Sequence, residues 1–380
     1  MWPLYAAGFT TAFGAHGIAA NLGGFAEDTV TSLLVLGGLL ALYDGAEVVL
    51  KPVFGTLADR VGPRPVLLGG LVAFAAASAL YAVADGPGWL WVARLGQGAA
   101  ASAFSPSASA LVARLNPAAR HGRAFGSYGF CKSVGFTLGP LLGGVLVWAG
   151  GLRLLFAVMA ALGAGVALWA LLAVPTVPPL PRTRQTLLDL ARRLTSRSFV
   201  VPTVALAGAT AALSVGVGFL PVSGRAAGLG TVATGAAVSV LAACAGVVQP
   251  VAGRALDAGR LSTRTGLITG LLTAAAGLCC AMLPGLPGVL TAAVLTGAGT
   301  GLITPLGFAA LAAATPTERL GQTMGSAEIG RELGDAGGPL LVAAVATLTT
   351  LTYGFAALAA LLALAATALL AGGGPARPRG

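Results

Sequence analysis

Runs of about twenty apolar residues, each long enough to cross the ~30 Å hydrocarbon layer as a helix, follow one another along this whole chain. Roughly twelve can be counted, centred near Ala12, Gly38, Ala75, Ala100, Val134, Gly163, Val215, Leu241, Leu271, Leu295, Leu333 and Ala360. Only 9% of the 380 residues are charged and 56% are hydrophobic. A water-soluble chain of this size has too little interior to hide that much apolar surface. The reading is an all-α membrane protein with twelve transmembrane helices.

The net charge of +10 is not the mark of a nucleic-acid partner, because its distribution follows topology. Arginines gather in every second loop: Arg60 and Arg64; Arg114, Arg120 and Arg123; Arg182, Arg184, Arg192, Arg193 and Arg197; Arg254, Arg260 and Arg264; Arg319; Arg377 and Arg379. The intervening loops hold mainly Glu27, Asp28, Asp85, Arg153 and Arg225. Cytoplasmic loops of membrane proteins carry the excess of basic residues, which puts both termini in the cytoplasm and the chain in the cell membrane. Cys131, Cys244, Cys279 and Cys280 lie in apolar runs with neither disulfide nor zinc spacing. The first apolar run lacks a basic flank, so Trp2 to about Ala20 reads as a retained helix rather than a cleaved signal.

The chain repeats itself. "VLKPVFGTLAD" (Val49 to Asp59) returns as "VVQPVAGRALD" (Val247 to Asp257), and "GSYGFCKSVGFTLGPLL" from Gly126 returns as "GSAEIGRELGDAGGPLL" from Gly325. Pro52, Gly55 and Asp59 thus match Pro250, Gly253 and Asp257, while Gly135, Gly139 and Pro140 match Gly334, Gly338 and Pro339. Between the two copies lies a proline-rich and then basic segment, "VPTVPPLPRTRQTLLDLARRLTSRS". The organisation expected is a six-helix bundle over 1–174, a cytoplasmic linker over 175–198 and a second six-helix bundle over 199–380 ending in a short cytoplasmic tail. Six helices per copy give both the same orientation, so the halves are related by pseudo-two-fold symmetry.

"GTLADRVGPRP" (Gly55 to Pro65), "LWVARLGQGAAAS" (Leu90 to Ser102) and the series Gly126, Gly135, Gly139, Pro140, Gly143, Gly144 resemble, in order, three motifs of the major facilitator superfamily. The last is similar to that of its drug:proton antiporter branch. Pro65 departs from the pattern, which has a second basic residue there. The resemblance implies the major facilitator fold and a secondary transporter working by alternating access, with a small-molecule substrate and protons as coupling ion; the sequence itself shows no cofactor or metal spacing, and no catalytic residues are expected. The resemblance further implies that Gly55, Asp59, Arg60, Gly62 and Arg64 gate the cycle, with Asp59 at the start of helix eleven, and that Gly135, Gly139, Pro140, Gly143 and Gly144 bend helix five and favour antiport. Beyond the resemblance, no G-x-x-x-x-G-K-[ST] phosphate loop occurs, and nothing calls for more than a monomer.

Charges inside the apolar runs are costly and must pair or face water. Asp44, Glu47 and Lys51 share one face of helix two, and Glu328, Arg331, Glu332 and Asp335 share one face of helix eleven. Arg94, Lys132 and His16 complete the set expected for proton coupling or the substrate cavity; for His16, packing on a small-residue helix is the blander reading. The repeat does not copy most of this chemistry: Asp44, Glu47, Lys51 and Arg94 correspond to Ala242, Ala245, Gln249 and Ala293, whereas Lys132 corresponds to Arg331. The chain's only two lysines, Lys51 and Lys132, both fall in this set. Lysine can change protonation when desolvated and arginine essentially cannot. Proton-coupled efflux is the reading, with uptake of a nutrient or organic anion, or a non-transporting sensor or scaffold, as rivals.

Overall fold

The computed structural model describes residues 1–21, 30–84, 88–178, 187–226 and 228–371. Glu27, Asp28, Asp85, Arg182, Arg184, Arg377 and Arg379, with the middle of the expected linker and the tail, lie outside the described residues. Among the described residues the regular structure is helical throughout. In chain order the helices are α1 (Trp2–Asn21), α2 (Val30–Val61), α3 (Pro63–Val83), α4 (Gly88–Arg114), α5 (His121–Ala173), α6 (Leu187–Leu194), α7 (Arg197–Ala226), α8 (Thr231–Asp257), α9 (Thr263–Cys280), α10 (Gly285–Ala313), α11 (Leu320–Leu348) and α12 (Leu351–Ala371).

The fifth and sixth expected spans are the two arms of α5. Backbone at Gly150 and Gly151 leaves helical geometry, with Gly151 at φ +70°. That left-handed value suits a residue without Cβ, so the chain turns there without a separate loop. The basic stretch of the linker forms the short α6, with Arg192 and Arg193 in its last turn.

Among the described residues, seven helices are long and apolar enough to cross a membrane by composition alone. The long helices that fall short are α1, α2, α4 and α11. Three of these carry most of the charged set: Asp44, Glu47 and Lys51 on α2, Arg94 on α4, and Glu328 to Asp335 on α11. An apolar centre near Gly38 marks only the first part of α2, which runs on to Val61 as the helical spacing of Asp44, Glu47 and Lys51 implies.

Two compact units emerge: Met1–Gln185 together with Leu311–Ile329, and Thr186–Ala310 together with Gly330–Gly380. In the first, α1 lies along the first arm of α5, α2 and α3 pack on α4, and α3 packs on α5. In the second, α9 packs on α12, and α7 runs along α11, where Gly330, Gly334 and Gly338 meet Thr203, Ala207 and Ala211. The repeat extends to individual contacts. Gly98 of α4 abuts Tyr43 and Gly297 of α10 abuts Leu241; Gly135 of α5 abuts Phe9 and Gly334 of α11 abuts Ala207. Each pair keeps the sequence offset of the duplication. Prolines inside helices repeat too, and to the pairs seen in sequence the structure adds Pro106 of α4 with Pro305 of α10.

Arginines at the polar ends reinforce each unit. Arg64 donates to the carbonyl of Leu171 at 2.7 Å and the hydroxyl of Thr176 at 3.1 Å, at the carboxyl end of α5. Arg264 donates to Leu369 and Leu370 at the end of α12, 3.0 and 2.6 Å away. Cations there satisfy the last carbonyls and oppose the negative end of the helix dipole. Pro65 costs nothing locally, since it sits in the first turn of α3, where no backbone N–H is needed.

Candidate functional site

A close helix crossing sets up the site. In the first unit α11 lies so near α2 that a Cβ on Gly325 would stand 2.5 Å from the carbonyl oxygen of Lys51, and Gly321 faces Gly55 backbone to backbone. Small residues permit such approach in membrane helices. Gly325→Val should force the pair apart at a cost of about 1–3 kcal/mol, the usual range for overpacking, read as a lower melting temperature in detergent. An unchanged melting temperature would show that the crossing tolerates widening.

At the start of α11 the crossing brings up Asp59. Its carboxylate accepts the backbone N–H of Gly321 and of Gln322, each at 2.7 Å. These are first-turn donors with no partner inside their own helix, and an anion there also meets the positive end of the dipole. Gly62, at φ +101°, turns the chain directly after α2 so that Pro63 can open α3. Arg60 is exposed, whereas Arg64 is spent on the end of α5.

One turn beyond Gly325, Glu328 meets side chains of α2 and α5. Lys51 pairs with Glu47, four residues earlier on its own helix, and also lies 3.5 Å from Glu328. Lys132 of α5 stands 4.0 Å from the other oxygen of Glu328. Lys51, Glu47 and Glu328 are 2%, 5% and 1% exposed, while the Lys132 side chain retains 20%. Two carboxylates and two ammonium groups thus share one desolvated pocket with zero net charge. Taking a single ion out of water costs several kcal/mol even after relaxation, so this quartet depends on all four members.

Arg94 enters from α4, 1% exposed, with its guanidinium 4.2 Å above the ring of Tyr43 and its Nε 3.5 Å from the Leu39 carbonyl. The π-face holds the cation, and the acids within electrostatic reach of it are Asp44 and Glu47. Asp44 itself is exposed, so the three charges of α2 share a face but not an environment. Nearby, Gln97 donates to Ser78 at 2.8 Å.

The charged face of α11 is likewise divided. Glu328 belongs to the first unit, and Arg331, Glu332 and Asp335 to the second. There the Arg331 guanidinium lies 5.6 Å from the ring of Phe308, and its carbonyl accepts from Thr210 at 2.8 Å. Asp335 accepts from Ser214, and Glu332 is half-buried. His16 lies against Phe136, ring centres 4.0 Å apart and planes tilted by 56°.

Along the first arm of α5, Gly135 and Gly139 meet the backbone of α1 at Phe9, Phe13 and Gly17, and Gly143 and Gly144 meet Asn21. Asn21 donates to the carbonyls of Gly17 at 2.7 Å and Pro140 at 3.3 Å, tying the end of α1 to the proline of α5. Tyr43, Asn21, Phe308 and Ser214 are partners that the sequence reading did not single out. Only Asn21, a lone amide at the end of an apolar run, gave any signal there.

Comparison with known proteins places these features in a family. The family model described as Major Facilitator Superfamily matches residues 4–258 and 204–380. An uncharacterized MFS-type transporter of Mycobacterium tuberculosis is 36% identical over 129 residues, covering 34% of this chain and 22% of that protein. The probable actinorhodin transporter of Streptomyces coelicolor is 34% identical over 165 residues, 42% of this chain and 27% of that one. The quinolone resistance protein NorA of Staphylococcus aureus is 30% identical over 111 residues, 29% of each. The matched segments therefore span less than a third of these relatives. Among solved structures, the human organic anion transporter MFSD10 (TETRAN) is 18% identical with a TM-score of 0.81, covering 97% of this chain and 98% of its own. The Escherichia coli fucose:proton symporter FucP is 13% identical with a TM-score of 0.79 over the same shares. Those two likenesses concern the fold. With the family model matched from residue 4 to 380 and the repeated helix contacts beneath it, this multi-pass membrane chain belongs to the Major Facilitator Superfamily.

Proposed function

We propose that this protein is a secondary active transporter, not an enzyme, that exports small organic compounds through the cell membrane in exchange for protons by alternating access. The observation that carries the reading is the buried quartet of Glu47, Lys51, Lys132 and Glu328, joining three helices through groups that can gain or lose protons. Intramembrane ionisable residues mark ion and proton pathways. In this reading the halves are 1–174 and 199–380, the linker 175–198 and both termini are cytoplasmic, and Asp59 with the glycines of α5 governs opening and closing. Asp44, Arg94 and His16 in the first unit and Arg331, Glu332 and Asp335 in the second are further candidates for proton coupling or substrate contact.

Relatives named for actinorhodin transport and quinolone resistance support an organic substrate, and the helix-five glycine series supports antiport. A fold neighbour named as a fucose:proton symporter supports proton coupling. Uptake of an organic anion is a second reading, favoured by Lys132, the partly exposed cation of the quartet.

A thermal-shift screen of small organic compounds, quinolones included, identifies a ligand, because binding to the folded state stabilises it. In liposomes, a pH gradient without sodium should then drive that compound against the proton flow. Flux with the proton flow favours the uptake reading, and flux that answers only to a sodium gradient overturns proton coupling.

A further inference from the structure

Two cations from two other helices stand on Glu328, Lys51 of α2 at 3.5 Å and Lys132 of α5 at 4.0 Å. Charged groups facing it include these two lysines and, behind Lys51, Glu47; on α11 itself, Arg331 and Glu332 follow within one turn. Glu47 pairs with Lys51 inside α2, so loss of that pair alone frees no helix from another.

The position of Glu328 is as telling as its partners. The stretch of α11 that packs with the first unit ends at Ile329, one residue further on. Polar attachments hold this stretch at both ends. At its start, Asp59 grips the backbone N–H groups of Gly321 and Gln322, donors that cannot titrate. At its end, the attachment consists of one carboxylate and two ammonium groups.

We propose that Glu328 is the residue that binds the coupling proton, and that binding it detaches the end of this stretch from α2 and α5 while Asp59 still holds the start. The proposal rests on the proton-coupling reading above. The step is a single proton transfer from the aqueous phase to the Glu328 carboxylate, with no other bond made or broken. Both lysines keep their charge. Lys51 retains Glu47, and the quartet passes from zero to one positive charge, which falls to Lys132, its partly exposed member. A cationic compound is then repelled from the site and an anion or water drawn to it.

Infrared difference spectra of the full chain in phosphatidylglycerol and phosphatidylethanolamine vesicles, taken against pH, detect the carbonyl band of a buried protonated carboxylic acid and need no transported ligand. The band should be present in wild type, lost in Glu328→Gln, regained in Glu328→Asp, and retained in Glu332→Gln. Persistence of the whole band in Glu328→Gln overturns the proposal. Should that variant fail to fold, Lys132→Gln alters a partly exposed residue and must shift the pH at which the band appears; an unshifted band overturns the proposal equally. If the spectra behave as expected while liposome flux follows only sodium, Glu328 still binds a proton, and the coupling reading is what falls.

Discussion

Asp59→Asn should abolish net transport while leaving substrate affinity within a few-fold of wild type. The two hydrogen bonds from Gly321 and Gln322 end on a charged acceptor, and bonds of that kind contribute about 1.5–3 kcal/mol against about 0.5–1.5 for neutral ones. Asparagine keeps one carbonyl oxygen and loses the charge that answers the helix dipole. The closed arrangement of α2 and α11 then loses on the order of 1–3 kcal/mol, a roughly 5- to 150-fold change in its population at about 1.4 kcal/mol per factor of ten. A cycle that must visit both arrangements stalls in the other one. Binding is spared because Asp59, at the end of α2, contacts only backbone at the start of α11, about two helical turns beyond Lys51. Ligand-induced thermal shift and liposome flux on the same preparation separate the two effects. Loss of binding in parallel with flux would instead place Asp59 in the substrate site.

The twelve spans, the duplication and its register could be read from the sequence because each rests on local pattern. Apolar length reports a membrane helix directly, and the glycines and prolines that recur at a fixed offset are those that set helix-to-helix distance in both units, as Gly135 against Phe9 and Gly334 against Ala207 show. The division of the α11 face was hidden. Glu328, Arg331, Glu332 and Asp335 are equivalent by helical period, and only tertiary packing gives Glu328 two lysines and Asp335 a serine.

The same limit explains the partners that went unnoticed. Cation and ring in the Arg94–Tyr43 pair lie on different helices, 51 positions apart in sequence, and no spacing rule connects them. The contact between Asp59 and α11 spans more than 260 positions and was expected solely through resemblance to a family. Local chemistry names the residue types that need partners; the fold decides which partners they receive.

A buried ion quartet is poor evidence of stabilisation, since apolar residues of similar volume often serve stability as well or better. The second copy gives a direct comparison. Where the first has Glu47 and Lys51, the second has Ala245 and Gln249, both buried, at 4% each, and its α8 is as regular as α2. The scaffold therefore does without the charges, which makes function the better account of their presence at α2. From this we expect Lys51→Gln, the repeat's own solution, to fold and yet to lose proton-driven transport by about tenfold or more, the factor that one unit of altered proton affinity represents. With Lys51 gone, Glu328 keeps Lys132 while Glu47 loses the ammonium it pairs with. An uncompensated buried charge costs about 3–5 kcal/mol, comparable with the roughly 4 kcal/mol needed to protonate an ordinary glutamate at neutral pH, so one of the two acids is driven to hold a proton through the cycle. A site already protonated cannot sense a gradient. Exchange of substrate at equal pH on both sides needs no net proton movement and should survive far better. Measuring the two fluxes in one set of liposomes decides the matter, and equal retention of both near the wild-type level would reduce Lys51 to a structural residue.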